Sequence, residues 1–306
     1  MKVLIASSSI LSIPLFNVLS NSSGYEITGL LTNQDKPTGR GQKIGSNELA
    51  VWAQSQNFDI YKSSSEEEMI SALTKSLPEI VITIAFGQLV KEKALRIPKF
   101  GWINIHFSIL PKWRGAAPVQ HSILNGEQST GISIFKLDQG MDTGPIYLSK
   151  EFSLKEDETT TEVLNRLSVE GSEMTLDVLK MIEDRKQPKD QSNTAVSFAP
   201  KFQKKDGEIN WRKSSESIYN LYRALGSNPG IWTVLNGVRL KIDSLRQSDV
   251  QLQLSSGQIE IDSEKIYAGT SEGVIEVLQL TPAGRNSMSS GEFVRGLTSK
   301  VGLNFG

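Results

Sequence analysis

The first half of the chain alternates short apolar, β-branched runs with segments of helical periodicity. The runs are KVLIAS at 2–7, YEITGLLTN at 25–33, IVITIAF at 80–86, WINIHF at 102–107 and ISIFKL at 132–137. Helical patterns lie near 11–20, 47–57, 66–76, 117–125 and 159–184. This alternation is typical of βαβ units, which build a parallel sheet with helices on its faces. The sequence therefore predicts an α/β, Rossmann-like domain in the N-terminal part of the chain.

The pattern changes after the last long helical segment. Residues 186–208 are polar, charged and interrupted by two prolines, so we expect a linker there. One helical stretch at 214–227 precedes short alternating runs at 230–237, 238–247, 251–257, 258–270 and 273–284. Short strands separated by glycine turns indicate a small closed β-barrel or a sandwich. A length of 306 residues agrees with two domains.

The composition excludes several classes of site. The chain has 33 Lys and Arg against 34 Asp and Glu, so its overall charge is nearly balanced. Any binding of nucleic acid therefore has to come from a local basic patch. The absence of cysteine excludes disulfides and thiolate chemistry and suits a cytoplasmic protein. The chain has 2 histidines, His106 and His121, so we expect no metal site. No run is long and apolar enough for a membrane span, and we expect no membrane partner.

The turn after the first predicted strand tests a dinucleotide-binding fold. Such a fold places glycines there so that the backbone can approach a pyrophosphate. This chain has ASSSILSIP, which contains no glycine. The interpretation as a dehydrogenase therefore loses its main support.

The segment GWINIHFSILPKWRGAAP, at 101–118, is the strongest candidate for a site. In a strand, alternate side chains share a face, so Asn104, His106 and Ser108 lie together and opposite three apolar residues. Polar residues at the end of a strand, followed by a Pro-Trp-Arg-Gly loop, favour a catalytic role over that of a hydrogen-bonded core histidine.

A second loop, DQGMDTGP at 138–145, follows the run ISIFKL. If it lies at the same edge of the sheet, Asp142 reaches His106 and stabilises its imidazolium form. Asn104 then supplies a donor to a developing oxyanion. A base, an oxyanion donor and an orienting acid without a Ser or Cys nucleophile predict direct acyl transfer to an amine.

These residues resemble the folate-dependent formyltransferase family. NIHFSILPKWRGAAP is similar to the family motif Asn-x-His-x-Ser-x-Leu-Pro-x-Trp/Tyr-Arg-Gly, and GMDTG is similar to its second motif. The resemblance implies that Asn104, His106 and Asp142 are catalytic and that 10-formyltetrahydrofolate is the donor. It also implies a folate pocket formed by Phe86, Gly87, Leu89, Ser108, Leu110, Pro111 and Asp138.

The acceptor is indicated by TNQDKPTGRGQKIGS, at 32–46. This segment resembles the loop DxPxGRGxK of methionyl-tRNA formyltransferases, which implies contact of Arg40, Lys36 and Lys43 with charged initiator tRNA. The pattern departs from that group downstream, where GSNELA replaces a Pro-Val-Lys run. Unaided by the resemblance, the segment is equally well read as a solvated surface loop.

The C-terminal part resembles the same enzymes at APKFQKKDGEINW, NLYRALGSNPGIWT and LQLTPAGRNSM. The resemblance implies an OB-like, tRNA-binding barrel at 209–306, after a formyltransferase domain at 1–185 and a linker at 186–208. Lys204, Lys205, Arg223 and Arg285 are candidate phosphate contacts.

Three functions remain open from the sequence. The favoured one is formylation of methionyl initiator tRNA by a monomeric enzyme. A sugar-nucleotide N-formyltransferase has the same catalytic core, and an RNA-binding protein could keep the fold without catalysis. The GRG loop argues against the first rival, and the intact Asn104, His106 and Asp142 argue against the second.

Overall fold

The computed structural model describes residues 1–38 and 43–306, with the backbone alone at Thr38 and Lys43. It divides into two compact units. The first consists of Met1–Pro118, Ser129–Ser153 and Val163–Pro200, and the second of Val119–Gln128, Leu154–Glu162 and Lys201–Gly306. Two short segments that precede residue 163 thus belong to the second unit.

The first unit contains most of the α/β elements. Its strands are β1 (Lys2–Ser7), β2 (Glu26–Asn33), β3 (Lys36–Thr38), β4 (Lys43–Gly45), β5 (Ile60–Ser63), β6 (Ile80–Ile84), β7 (Trp102–His106), β8 (Arg114–Gly115), β9 (Ser129–Lys136), β10 (Ile146–Ser153) and β11 (Phe198–Ala199). A 3-10 helix at Ile10–Ser12 precedes α1 (Ile13–Ser20), which is followed by α2 (Glu48–Ser55), α3 (Glu66–Ser76) and α4 (Glu92–Leu95). The helices α5 (Pro118–Leu124) and α6 (Thr160–Glu183) each contain residues of both units.

The central sheet has seven strands in the order β5-β2-β1-β6-β7-β9-β10. The first five are parallel, as predicted for a Rossmann-like sheet. The expectation that the run 132–137 joins them in parallel is wrong, because β9 is antiparallel to β7, with Ile103 opposite Lys136 and His106 opposite Ser133. A parallel pair would require a connection that crosses back to the edge of the sheet where β7 starts. Here the chain reverses direction after β7, so β9 runs the opposite way.

Local signals explain why several elements form where the sequence predicts them. Helix α3 begins at Ser65, whose side chain accepts a hydrogen bond from the Glu68 amide. Three glutamates lie in its first turn and Lys75 in its last, which complements the helix dipole. Strand β6 is buried along its whole length, as expected for a central strand covered on both faces.

The second unit is built on an antiparallel sheet. Its elements are a 3-10 helix at Lys204–Gly207, α7 (Ser215–Leu225), β12 (Ile231–Leu235), β13 (Val238–Ser248), β14 (Ile259–Asp262), β15 (Lys265–Gly269), β16 (Val274–Pro282), β17 (Met288–Ser289) and α8 (Ser290–Arg295). The strand order is β12-β13-β16-β15-β14, with β17 on β16. Asn304 forms a β-bridge with Gln258, next to the edge strand β14. Phe305 forms one with Leu235, in the other edge strand, β12.

The run at 251–257 was predicted as a strand and is not one. Its backbone packs closely over Gly269, where a Cβ atom would lie 2.3 Å from the Ser255 carbonyl oxygen. The alternation of polar and apolar residues at 251–257 therefore belongs to a packed segment without regular secondary structure.

Candidate active site

Strand β7 places Asn104 and His106 on the same face, as the period of two predicts. His106 is only 5% exposed, although it is the last residue of its strand, and Asn104 is half-buried. On the opposite face Ile103 and Ile105 are buried in the core. The sheet thus fixes the two polar side chains through the packing of their apolar neighbours.

The two ring nitrogens of His106 face different groups. Nε2 lies 2.9 Å from the carbonyl oxygen of Trp113, and Nδ1 lies 3.8 Å from Oδ2 of Asp142. Because a carbonyl oxygen can only accept, the neutral ring carries its hydrogen on Nε2. Nδ1 is then the nitrogen that can take a proton, next to a carboxylate that stabilises the resulting cation.

Burial sets the protonation state of this histidine. Desolvation lowers the pKa of His106 below its ordinary value, while the Asp142 carboxylate and the Trp113 carbonyl raise it in part. The imidazole ring stands nearly perpendicular to the Phe135 ring, with ring centroids 6.3 Å apart. His106 is therefore neutral near pH 7, the state that a general base needs.

The loop between β9 and β10 carries Asp142. The loop begins beside the start of β7, where β9 ends. It returns to His106 because hydrogen bonds and close backbone packing fix its shape. Oδ1 of Asp138 accepts hydrogen bonds from the Gly140 amide and the Thr143 hydroxyl at 2.9 and 2.7 Å. Gly144 is required for close packing, since a Cβ atom there would lie 1.7 Å from the Lys136 carbonyl oxygen. The structure thus brings Asp142 to His106 by folding this loop back along the strand.

The loop after β7 is joined to that of Asp142. The Gly115 amide donates to Oδ2 of Asp142 at 2.7 Å. Gly115 itself has a φ of +125° and leaves room for the Ala199 carbonyl oxygen, which a Cβ atom would approach to 2.7 Å. The Trp113 amide donates to the Ser197 hydroxyl at 2.9 Å. The contacts of Ala199 and Ser197 come from β11 and the segment before it, for which the sequence predicts a linker.

Asn104 is oriented by Thr83, which is not among the site residues predicted from the sequence. The Thr83 hydroxyl donates to Oδ1 of Asn104 at 2.7 Å, across the β6–β7 pair. Among the described residues, no acceptor binds the amide nitrogen of Asn104. That nitrogen is consequently available as a donor. The contact of Thr83 with Asn104 follows from the register of two parallel strands, β6 and β7. No local sequence motif encodes that register.

The residues assigned to a folate pocket lie in three places, and Asp138 is in the loop between β9 and β10. In the loop 85–90, Phe86 is buried against Trp102, Gly87 has a φ of +72°, and Leu89 is 71% exposed. In the loop after β7, the Ser108 hydroxyl donates to the Lys112 carbonyl, and Leu110 is buried beside Pro111. Ser108 and Leu110 therefore hold the shape of their loop.

Apart from Arg223, the cationic residues assigned to tRNA are exposed where the structure describes them. Lys36 lies in β3, Lys204 and Lys205 in the 3-10 helix of the second unit, and Arg285 in the turn after β16. Arg40 lies outside the described residues, as does the side chain of Lys43.

Arg223 is not a phosphate contact, contrary to the expectation from the sequence. It is only 8% exposed, and its guanidinium donates to the Lys155 and Glu158 carbonyl oxygens and to Oδ1 of Asn220. Helical periodicity places it on the buried face of α7.

The described residues contain no group of three or more His, Asp or Glu side chains that could hold a metal ion. No helix within 1–38 and 43–306 is long and apolar enough to cross a membrane.

Comparison with known sequences identifies the family. A sequence profile described as "Formyl transferase" matches residues 1–179, more than half of the chain. A second, described as "Formyl transferase, C-terminal domain", matches residues 201–298. The chain belongs to the formyl transferase family. Its resemblance to that family, and the α/β sheet followed by an antiparallel domain, are thereby confirmed.

Two relatives that match over almost the full length are named methionyl-tRNA formyltransferase. The methionyl-tRNA formyltransferase of Salinispora tropica is 32% identical over 99% of each chain. That of Renibacterium salmoninarum is 33% identical over 100% of each chain.

Several solved structures share the fold. HypX from Aquifex aeolicus has a TM-score of 0.69 at 15% identity; the match covers 98% of this chain and 48% of HypX. An N-formyltransferase from Helicobacter canadensis, in complex with folinic acid and dTDP-3-aminofucose, has a TM-score of 0.66 at 19% identity over 92% and 100%. Methionyl-tRNA formyltransferase from Clostridium thermocellum has a TM-score of 0.59 at 20% identity over 81% and 94%.

Proposed function

We propose that this protein transfers the formyl group of 10-formyltetrahydrofolate to the α-amino group of methionine on charged initiator tRNA. The observation that carries the proposal is the arrangement of Asn104, His106 and Asp142: a free amide donor, a buried neutral base and a carboxylate beside that base. Full-length relatives named methionyl-tRNA formyltransferase support the choice of acceptor. The product, N-formylmethionyl-tRNA, would serve translation initiation in the cytoplasm.

In the proposed mechanism the neutral amine attacks the formyl carbon, and a C–N bond forms. Nδ1 of His106 takes the proton that the amine loses, since Nε2 is bound to the Trp113 carbonyl. Asp142 stabilises the imidazolium form across 3.8 Å.

The tetrahedral intermediate carries a negative oxygen, to which Nδ2 of Asn104 donates. The bond between the formyl carbon and N10 of the folate then breaks. The proton held by His106 goes to N10, so the folate leaves as tetrahydrofolate and the histidine returns to its neutral form.

The donor pocket proposed from the sequence uses the loop 85–90, the loop after β7 and Asp138. Leu89 offers an exposed apolar surface, and Gly87 leaves open space, since a Cβ atom there would meet nothing within 4 Å. Phe86, Ser108, Leu110 and Pro111 would shape the pocket wall. The N-formyltransferase from Helicobacter canadensis, which shares the fold, was solved in complex with folinic acid, and this supports a folate ligand here.

The proposed tRNA contacts combine Lys36, Arg40 and Lys43 with the cations of the second unit. Lys204, Lys205 and Arg285 are exposed and can neutralise phosphates. We further propose that the enzyme acts as a monomer, with 209–306 as its tRNA-binding domain.

One assay separates the candidate acceptors. Purified protein is given 10-formyltetrahydrofolate with either charged initiator tRNA or an amino-sugar nucleotide, and the formylated product is measured. We expect transfer to methionyl-tRNA. Transfer to the sugar alone would establish the rival function, and transfer to neither acceptor would leave an RNA-binding role.

Two variants test the division of roles. His106→Ala removes the base, and we expect it to abolish turnover while tRNA binding stays near that of the wild type. Arg40→Ala is expected mainly to weaken the use of tRNA. The reverse pattern would mean that the roles of these residues are misassigned.

A further inference from the structure

Gln191 lies between the two regions that the family profiles match, 1–179 and 201–298. Both ends of its side-chain amide are bonded. Nε2 donates to the carbonyl oxygens of Asp142 and Gly144 at 2.8 Å each. Oε1 accepts from Nε and Nη2 of Arg114 at 3.2 and 2.7 Å. One side chain thus joins the loop that carries Asp142 to the loop that carries Arg114.

The backbone of both loops needs support. Asp142 has a φ of +53° and Trp113 a φ of +61°, in the left-handed region that residues with a side chain rarely adopt. Such conformations persist where surrounding contacts hold them. Ser197 binds the Trp113 and Arg114 amides, and Gln191 binds the carbonyl of Asp142 itself. The segment 191–199 therefore holds both loops.

The position of Asp142 matters because its carboxylate acts at a distance. Oδ2 lies 3.8 Å from Nδ1 of His106 and is fixed on its other side by the Gly115 amide. A turn of the Asp142 backbone would move the carboxylate away from the ring. The bonds from Gln191 to the carbonyls of Asp142 and Gly144 resist that turn.

We propose that Gln191 is a positioning residue for formyl transfer, which holds the Asp142 loop against the Arg114 loop so that the Asp142 carboxylate stays beside His106. The inference rests on the proposed function, and it adds a residue that acts through Asp142.

The groups that face His106 determine the sign of the effect. They are the Asp142 carboxylate, the Trp113 carbonyl and the Phe135 ring. The Arg114 guanidinium is bound to Gln191. Among the described residues, Asp142 supplies the one charge in an ion-pair contact with His106. Its displacement would therefore favour the neutral ring and lower the pKa of His106.

The test variant is Gln191→Met, which keeps the length of the side chain and removes both its donor and its acceptor. Gln187→Met is the matched control, because Gln187 is exposed four residues earlier and, among the described residues, bonds only to the Arg185 carbonyl oxygen, at 3.2 Å. The chain has 2 histidines, so selective labelling of histidine gives separate NMR titrations for His106 and His121. A His121→Gln sample assigns the two signals.

We expect Gln191→Met to lower the pKa of His106 by about 0.5–1 unit, the effect of weakening one close charge contact. At pH 7.5, kcat should fall roughly tenfold with KM for both substrates within about twofold, because the change affects a group that acts in the transition state. The acidic limb of the pH profile should move to lower pH. Gln187→Met should match the wild type in all three measurements.

A wild-type His106 titration and kcat in folded Gln191→Met would overturn the proposal, as would equal effects of the two variants. The His121 signal and the circular dichroism spectrum report folding. If Gln191→Met does not fold, Gln191→Glu, which keeps the acceptor for Arg114 and loses the donor to Asp142, should still lower kcat, and wild-type activity would again overturn the idea. Failure of the wild type to formylate any acceptor would refute the proposed function, while the titration would still test Gln191.

Discussion

At the scale of single residues, the direction of the Asn104 amide depends on Thr83. The Thr83 side chain is 4% exposed and its hydroxyl bonds to Oδ1 of Asn104, so the amide nitrogen is turned away from Thr83. A site that stabilises an oxyanion requires its donor to be oriented before the reaction begins. In the proposed mechanism Thr83 would therefore act by orienting Asn104.

We predict that Thr83→Val lowers kcat by about three- to tenfold, the equivalent of one hydrogen bond of about 0.5–1.5 kcal/mol. Valine has nearly the shape of threonine, so KM for both substrates should stay the same. Steady-state kinetics measure the effect. Thr130→Val is the control, because Thr130 is also buried and bonds to the Phe107 carbonyl at 3.4 Å. Equal losses in the two variants would indicate general loosening of the sheet.

The burial of His106 also predicts a pH dependence of stability. Since its pKa is lowered in the folded protein, the unfolded chain takes up the proton first as the pH falls below about 6.5. The contribution of neutral His106 is thus complete above that pH and is lost as the pH falls towards the folded pKa. Replacing the residue removes this part of the dependence.

Urea unfolding of the wild type and of His106→Gln at pH 7.5, 6.5 and 5.5 measures it. We expect the stability of the wild type relative to the variant to decrease from the first pH to the last. A difference that stays constant over this range would mean that His106 does not titrate differently in the two states.

At the scale of elements, local patterns predicted most helices and strands, because their signals lie within them. Helix α3 was predicted at 66–76 and is observed there, with a serine cap and charges that suit its dipole. The antiparallel course of β9 and the irregular segment 251–257 could not be predicted in this way. Both depend on which distant segment the backbone meets, and the alternation of side chains is the same in either case.

The residues of the candidate site show the same difference between local patterns, which can be predicted, and distant contacts, which cannot. Asn104 and His106 were placed together by the period of their strand, and Asp142 by a loop of recognisable composition. Thr83 and Gln191 were missed, because each contributes one hydrogen-bonded side chain from a remote part of the chain. Ordinary Thr and Gln residues carry no sign of their partners in the sequence.

Helix α7 illustrates how burial changes the role of a cation. Arg223 binds carbonyl oxygens of the segment 154–162, which belongs to the same unit. We predict that Arg223→Met destabilises the folded protein by about 2–3 kcal/mol, because buried carbonyls lose a charged donor. The affinity of the folded protein for tRNA should not change. Chemical unfolding and tRNA binding measure the two effects.

Arg212→Met serves as the control for this change. Arg212 is exposed just before the same helix, so its loss should cost less than about 0.5 kcal/mol. A large loss of tRNA affinity in folded Arg223→Met would restore Arg223 as a phosphate contact.

At the scale of the whole molecule, charge is nearly balanced, with a formal net charge of -1. The general field of such a protein does not attract a polyanion, so binding of tRNA has to rest on a few phosphates neutralised by particular cations. Each such contact releases counterions, which gives the proposed contacts a measurable signature in the salt dependence.

We predict that log(kcat/KM) for tRNA falls with log salt concentration, and that Lys204→Ala and Lys205→Ala each reduce the slope by about 0.7–0.9, the value for one phosphate contact. The double variant should reduce it by about twice as much, since two separate phosphates are involved. Lys180→Ala is the control, because Lys180 is an exposed lysine near the end of α6 and is not among the proposed contacts. Measurement between 50 and 200 mM KCl, roughly the range over which phosphate contacts dominate affinity, gives the slopes. An unchanged slope in both single variants, or an equal change in Lys180→Ala, would show that these lysines do not bind phosphate and that the tRNA lies elsewhere.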